Sequence, residues 1–278
     1  MIDTNRNIEI MGIINLTDDS YFADSRCADV TSALERVSRL LADGADIIDV
    51  GACSTRPGAE PLGADAEWSR LEPFLKSVAK EFTGIRLSID TYWSSVVRRA
   101  YDLIGEFIVN DISAGEADPE MLATVGRLKL PYVAMHMRGD SMTMQSLTDY
   151  DDLIAEVADY FKTFSEKAAL HGIRNWILDP GFGFAKTVEQ NYQLLKNLSQ
   201  FKPVFCADGT AARLLVGVSR KSMIYKRFSI SPEEALPATQ VLHYKALLSG
   251  ADILRVHDVA EARQTVELYR IFETKNCR

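Results

Sequence analysis

The sequence predicts a single closed (β/α)8 TIM barrel, with an active site at the C-terminal ends of its strands. Eight short apolar runs alternate with eight longer amphipathic stretches along the chain. No linker, low-complexity segment or change of composition interrupts residues 1–278, so we expect one domain. Each parallel strand needs a crossover helix, and closure removes exposed sheet edges, so eight such units favour a barrel. A doubly wound open sheet is the structural alternative.

The strand predictions rest on runs rich in Ile, Val and Leu that end in polar residues, as parallel strands buried on both faces do. They fall at residues 8–15, 47–51, 86–90, 107–110, 132–136, 176–179, 214–218 and 253–257. The helix predictions rest on apolar residues spaced three and four apart, such as Val30, Val37 and Leu40 in the first helix. They cover residues 30–43, 64–82, 93–104, 118–128, 150–171, 187–198, 233–249 and 259–273.

Two longer segments lack such a pattern. Residues 16–29 are polar and follow a strand, so they belong to the face where barrel enzymes carry lids. Residues 199–213 follow a helix and are predicted to be a connection on the opposite face.

The composition is that of an ordinary globular protein, with 47% hydrophobic and 25% charged residues. The net charge of -8 argues against nucleic acid as a partner. No apolar run approaches the roughly 18 residues of a membrane span, and the N-terminus lacks the apolar core of a signal peptide, so we expect a cytoplasmic protein. Cys27, Cys53, Cys206 and Cys277 lack metal or redox spacing and are expected to be reduced thiols.

A ring of polar residues falls at the predicted strand ends, where barrel enzymes place their active sites. A single polar residue before a helix is more often a helix cap than a catalytic group. Eight strand ends with polar residues are harder to explain by capping, and capping explains neither Lys221 nor Arg255. The candidates are Asn15, Thr17, Thr55, Arg56, Asp90, Asn110, Asp111, His136, Asp179, Ser219, Arg220, Lys221, Arg255 and His257.

The residue types indicate two binding functions. Asp90, Asn110 and Asp179 supply carboxylates and an amide that suit the donor and acceptor edge of a pterin or purine. Arg255 and His257 are two residues apart and point the same way on a strand, so with Asn15 they could hold a phosphate or diphosphate.

Two further predictions concern the edges of the site. Lys221 stands beside Ser219 and Ser222 and adds a cation and hydroxyl donors. Glycines alternate with two phenylalanines in residues 179–184, which predicts that one ring is exposed at a strand-end loop and that Phe184 contacts a ligand. The alternative is that both rings pack in the core.

Motifs spread over nearly the whole chain resemble those of dihydropteroate synthases, the folate-pathway enzymes that join a pterin to 4-aminobenzoate. The most specific are Ser54-Thr55-Arg56-Pro57-Gly58 and Ser219-Arg220-Lys221-Ser222. The matching segments, in order, are residues 11–17, 54–59, 88–91, 110–113, 135–137, 179–184, 219–222 and 255–259.

The resemblance implies a function for each candidate residue. A pterin pocket would be formed by Asp90, Asn110, Met135, Asp179, Lys221 and Arg255. The diphosphate would be held by Asn15, Arg255 and His257, with Mg2+ coordinated through Asn15. The 4-aminobenzoate would lie near Thr55, Arg56, Pro57, Phe184, Lys221 and Ser222. The catalytic residues would be Asp90, Asp179, Lys221, Arg255 and His257.

The implied reaction is an SN1-like displacement of diphosphate from (7,8-dihydropterin-6-yl)methyl diphosphate by the amine of 4-aminobenzoate. The family also implies a homodimer formed through the last helices. Two alternatives remain open from sequence: a pterin-binding methyltransferase domain that uses methyltetrahydrofolate, and a non-catalytic paralogue that binds pterin. The intact Ser-Thr-Arg-Pro and Ser-Arg-Lys-Ser loops weigh against the first, and the complete set of diphosphate residues weighs against the second.

Overall fold

The computed structural model describes residues 6–16, 29–53 and 62–273, and in these ranges the eight predicted strands form one closed parallel barrel. Each strand pairs with the next, and the last pairs with the first through Met11 and Arg255. The barrel prediction is therefore confirmed, and the open sheet is excluded. The strands are β1 (Glu9–Asn15), β2 (Ile47–Gly51), β3 (Leu87–Asp90), β4 (Ile108–Asp111), β5 (Tyr132–Met135), β6 (Trp176–Asp179), β7 (Arg213–Val216) and β8 (Ile253–Val256).

The helices surround the barrel in the predicted places, with one addition that the sequence did not reveal. Ser222–Phe228 forms a helix of 7 residues directly after Lys221, too short for its apolar spacing to distinguish it from a loop. The helices are α1 (Val30–Ala42), α2 (Ala64–Glu81), α3 (Ser94–Ile104), α4 (Met121–Leu128), α5 (Leu153–Leu170), α6 (Val188–Lys196), α7 (Ser222–Phe228), α8 (Leu236–Leu248) and α9 (Val259–Glu273). In the ranges that the structure describes, every helix is too short or too polar to span a membrane.

An apolar layer fills the inside of the barrel. Its buried members each come from a different strand: Met11, Ile47, Ile108, Val133, Ile177, Leu215 and Ile253. Side chains alternate along a strand, so the residue two positions later points to the same interior, one layer nearer the C-terminal ends. That next layer contains Asp49, Asn110, Met135, Asp179 and Arg255. The polar candidates therefore lie on top of an apolar plug.

Ion pairs close the opposite, N-terminal face. The buried carboxylate of Glu9 accepts hydrogen bonds from Arg86 and, at 2.6 Å, from Arg213. Asp252 accepts from Lys202 and, at 2.7 Å, from the backbone N–H of Leu214. These contacts fix the strand starts without contributing to the candidate site.

The connection that precedes β7 also lies on this face. The Cys206 thiol donates to the carbonyl of Trp176, the first residue of β6, at 3.5 Å. The prediction that residues 199–213 connect elements away from the candidate site agrees with this contact.

Candidate functional site

Arg255 of β8 reaches across the barrel to carboxylates on β2 and β3. Its Nε donates to Asp49 Oδ2 at 2.7 Å, and its Nη2 lies 3.0 Å from Asp90 Oδ2. The amide nitrogen of Asn110 lies 3.3 Å from both Asp49 oxygens. Two predicted residues, Arg255 and Asn110, thus meet at the fully buried carboxylate of Asp49, which was not among the candidates.

A signal for Asp49 was present in the sequence. It is an ionisable residue within the apolar run Ile47-Ile48-Asp49-Val50, and it shares its face with Ile47. A carboxylate in such a strand must find a charge partner inside the barrel, because burying it alone would be very costly. Arg255 is that partner.

Burial raises the pKa values of the two predicted pterin carboxylates, and like charges add to the shift of Asp90. Burial raises the pKa of Asp90, Arg255 opposes the rise, and the charges of Asp49, Asp111 and Asp179 add to it. Burial also raises the pKa of Asp179, against the positive charge of Lys221 and a hydrogen bond of 2.8 Å from the Gly181 N–H. Each carboxylate would gain from N–H donors that stabilise its charged form.

Lys221 lies beside these carboxylates and beneath the turn that follows β6. Its Nζ donates to the Phe182 carbonyl at 2.5 Å and lies 4.9 Å from the centre of the Phe184 ring. Burial lowers the pKa of Lys221 to about 8, and the charge of Asp179 opposes this shift. Phe182 is fully buried and Phe184 is half-buried, as the alternation with glycines predicted. Ser222 begins α7 at the next position.

His257 is oriented by Ser219, which lies in the loop between β7 and α7. Its Nδ1 lies 3.0 Å from the Ser219 hydroxyl, and Arg36 donates to the His257 carbonyl at 2.7 Å. Burial lowers the pKa of His257 to about 3, with the charge of Arg255 adding to the shift, so the imidazole is neutral near pH 7. Asn15 is half-buried at the end of neighbouring β1. Met135 is buried at the end of β5.

Three polar residues at strand ends serve as supports. Asp111 accepts hydrogen bonds from the Ser113 N–H at 2.7 Å and the Tyr132 hydroxyl at 2.5 Å, which holds the turn after β4. The buried Arg220 has a left-handed φ of 52°, and its guanidinium makes two hydrogen bonds of 2.8 Å to Asp258. His136 is buried and its Nδ1 lies 3.0 Å from Lys186 Nζ.

Other predicted site residues fall outside the described part of the chain. These are Thr17, and also Thr55, Arg56 and Pro57, which were expected near 4-aminobenzoate. Among the residues that are described, no cluster of three or more His, Cys, Asp or Glu side chains could hold a metal ion. Cys53 is half-buried, and burial raises the pKa of its thiol, which agrees with a structural residue.

Comparison with known proteins gives one family. A family model described as pterin binding enzyme matches residues 11–257. The dihydropteroate synthase of Synechocystis sp. is 39% identical over 267 residues, which cover 95% of this chain and 90% of that protein.

Solved structures agree with the sequence comparison. The crystal structure of Yersinia pestis dihydropteroate synthase with a sulfonamide drug has a TM-score of 0.89 and 33% identity, and the match covers 98% of this chain and 96% of that one. A structure of Xanthomonas albilineans dihydropteroate synthase with 4-aminobenzoic acid has a TM-score of 0.85 and 32% identity, covering 98% and 94%. The chain therefore belongs to the dihydropteroate synthase family of pterin-binding enzymes.

Proposed function

We propose that the chain condenses (7,8-dihydropterin-6-yl)methyl diphosphate with 4-aminobenzoate to give 7,8-dihydropteroate and diphosphate. The observation that carries this proposal is the buried cluster in which Arg255 joins Asp49 and Asp90, Asn110 donates to Asp49, and Asp179 and Lys221 lie beside them. Carboxylates with raised pKa values beside a fixed guanidinium suit a planar ligand rich in N–H donors on one edge.

The pterin would place one edge against Asp90 and Asp179 and one face against Arg255. Asp90 and Asp179 would accept from its N–H groups, and Asn110 would pair with its amide edge. The Arg255 guanidinium would stack on the ring, with Met135 on the apolar side. Asp49 would hold Arg255 in place for this contact, as its hydrogen bond of 2.7 Å supports.

The diphosphate would lie toward the ends of β8 and β1, against Arg255, His257 and Asn15. Mg2+ usually keeps several waters and takes one or two protein oxygens together with substrate phosphates, so a single amide oxygen from Asn15 fits an ion that arrives with the diphosphate. When bound, the ion would offset negative charge on the leaving diphosphate. The neutral imidazole of His257 would supply one N–H donor to the same oxygens.

The 4-aminobenzoate would lie on the other side of the pterin methylene, against Phe184, Lys221 and Ser222. The half-buried Phe184 ring offers an apolar face for the benzene ring, and Lys221 supplies positive charge nearby. The family pattern adds Thr55, Arg56 and Pro57 to this side.

The chemistry would begin with cleavage of the bond between the pterin methylene carbon and the diphosphate oxygen. The electron pair leaves with diphosphate, while positive charge spreads into the pterin, where Asp90 and Asp179 would stabilise it electrostatically. The neutral amine of 4-aminobenzoate then forms the C–N bond and releases one proton. An aromatic amine attacks without prior deprotonation, so this route needs no strong general base.

The test is a reaction of purified protein, Mg2+, the pterin diphosphate and 4-aminobenzoate, with diphosphate and dihydropteroate measured together. We expect equal amounts of both products, and loss of both in Lys221→Ala and Arg255→Ala. Pterin binding with neither product would identify the non-catalytic paralogue. Methyl transfer from methyltetrahydrofolate would identify the methyltransferase. The 39% identity to a synthase over 95% of the chain favours the synthase.

A homodimer through the last helices remains part of the proposal. Large apolar side chains are exposed on the outer faces of α8 and α9: Val241 at 68%, Leu268 at 49%, Ile271 at 52% and Phe272 at 70%. Such a patch is typical of a covered interface. Light scattering should give the mass of two chains, and Ile271→Asp should give one. Cytoplasmic location also stays a prediction, to be tested by cell fractionation.

A further inference from the structure

Lys186 is a buried cation to which no function has yet been given. It follows the turn after β6 and is 4% exposed. Its Nζ lies 2.9 Å from the Phe184 carbonyl, 3.1 Å from the Gly181 carbonyl and 3.0 Å from His136 Nδ1. An ammonium has three donors and no acceptor, so this geometry uses each of them once.

The partner His136 is suited to accept rather than to donate. Burial lowers the pKa of His136 to about 2, and the charge of Lys186 adds to the shift, so the ring is neutral. Burial lowers the pKa of Lys186 to about 7, and the charge of Asp179 opposes this shift. Its ammonium form cannot accept a hydrogen bond, so in that form Nδ1 is the acceptor and the proton of the neutral ring is on Nε2. The ring packs edge-on against Tyr160, with centroids 4.9 Å apart, and this contact fixes its plane.

The turn that Lys186 holds also makes the contacts of the candidate site. Its carbonyl at Phe182 accepts from Lys221 Nζ at 2.5 Å, and the Phe184 ring covers the same Nζ. The turn needs outside support, because Gly181 and Gly183 have positive φ values of 72° and 85°. Lys186 thus holds two carbonyls, one on each side of the group that binds Lys221.

We propose that Lys186 is a positioning residue for the aminobenzoate side of the site: seated on His136, it fixes the turn that presents Phe184 and the Phe182 carbonyl to Lys221. Strand pairing holds the backbone of Asp179, because Met135 and Asp179 are partners in the parallel register of β5 and β6, and the turn adds only the bond from the Gly181 N–H to its carboxylate. The inference rests on the proposed function for the identity of the ligands, whereas the support of the turn can be measured without catalysis.

The test compares Lys186→Met with Lys196→Met, an exposed lysine at the end of α6. Loss of the Lys186 contacts is expected to raise the KM for 4-aminobenzoate about tenfold, because the turn after β6 is no longer fixed in the binding geometry. The Kd of the pterin diphosphate, measured without 4-aminobenzoate, should change less than about threefold, since that ligand depends on the strand-borne Asp179. A general loss of stability would not produce this split.

Hydrogen exchange supplies the readout that needs no activity. Amides of residues 181–185 should exchange faster in Lys186→Met, while those of α6 keep their wild-type rates. His136→Leu removes one of the three acceptors of Lys186. It should raise the KM for 4-aminobenzoate and the exchange rates of the turn, each by less than Lys186→Met does. This variant replaces Lys186→Met in the test if Lys186→Met does not fold. The double variant, Lys186→Met with His136→Leu, should have the same KM for 4-aminobenzoate and the same exchange rates as Lys186→Met alone.

Unchanged exchange and unchanged KM in both folded variants would overturn the proposal, as would equal rises of the KM and the pterin Kd. If the wild type forms no dihydropteroate yet the amides of the turn exchange faster in Lys186→Met, Lys186 fixes the turn as proposed and only the proposed reaction fails. The two failures are therefore distinguishable.

Discussion

Replacing Asp49 with asparagine tests whether this carboxylate holds Arg255 in its working orientation. The substitution keeps the shape of the side chain but removes its charge and one acceptor oxygen. In the wild type, Arg255 Nε and Nη2 both lie against Asp49 Oδ2, at 2.7 and 2.6 Å. In the variant, the contact of 3.0 Å to Asp90 is the one ion pair that Arg255 retains among those described.

The size of the effect follows from the bond that is lost. A hydrogen bond to a charged group contributes about 1.5–3 kcal/mol. If that contribution is present in the transition state, kcat/KM for the pterin diphosphate should fall by about ten- to a hundredfold. Breaking a fully buried pair costs about 3–5 kcal/mol of folding free energy. Because the Arg255 side chain is 20% exposed and keeps Asp90, we expect roughly half of that loss.

The assay is steady-state diphosphate release at saturating 4-aminobenzoate, with thermal unfolding measured on the same samples. Asp102→Asn makes the same chemical change at an exposed position on α3 and is the matched control. Asp49→Asn combined with Arg255→Ala should have the same kcat/KM as Arg255→Ala alone, because both changes remove the same ion pair. A folded Asp49→Asn enzyme with wild-type kcat/KM would show that Asp49 does not hold Arg255 in its working orientation.

Two further substitutions separate stability from function. Burial alone would raise the pKa of Glu9, but hydrogen bonds from Arg86 and Arg213 outweigh it and lower the pKa, so its stabilising charge is present above pH 4.5 and lost as the pH falls. Glu9→Gln should therefore lower the free energy of unfolding by about 1–2 kcal/mol near pH 7, a value reduced because Arg86 is half-exposed, and by less below pH 4. The kcat should not change. Urea titrations at both pH values measure the two losses, and equal losses would contradict this expectation. Gly181→Ala would place a Cβ atom 2.0 Å from the His136 carbonyl oxygen, at a residue whose φ is 72°. The substitution should therefore destabilise the fold by at least about 2–3 kcal/mol and reduce turnover. A thermal midpoint and a kcat equal to those of the wild type would contradict this expectation.

The strands could be predicted from sequence because their physical signal is local. A parallel strand covered on both faces must be apolar along its length, and it ends where polar groups return to the site. β2 and β6 have the predicted bounds, and the other strands differ by one or two residues at one or both ends. The same rule placed Asp90, Asn110, Asp179 and Arg255 at one end of the barrel, as the structure finds.

The supports of the site could not be predicted because they depend on side-chain direction and distant partners. Arg220 lies between Ser219 and Lys221, yet its left-handed backbone sends its guanidinium to Asp258, 38 positions along the chain. Lys186 resembles any lysine before a helix, and only the folded turn brings it to His136, 50 positions earlier. Spacing within the sequence carries neither relation.

The raised pKa values of the site give a final prediction, which concerns pterin binding itself. In the ligand-free site, burial and the charges of Asp49, Asp111 and Asp179 raise the pKa of Asp90, so part of the population is protonated at mildly acidic pH. Pterin N–H donors favour the ionised carboxylate, and binding must then release protons. Affinity should therefore weaken as the pH falls through the raised pKa, by up to about tenfold per pH unit for one proton.

Calorimetry of the pterin diphosphate at pH 6, in two buffers with different ionisation enthalpies, measures the protons released. Asp90→Asn should release fewer protons than the wild type, and Asp102→Asn should release the same number. Proton uptake by the wild type would mean that Asp90 is more protonated in the complex than in the free protein. Asp90 would then be neutral and would donate a hydrogen bond to the ligand. The charge-stabilising function proposed for Asp90 would fail with that result, since a neutral group cannot stabilise the positive charge that spreads into the pterin.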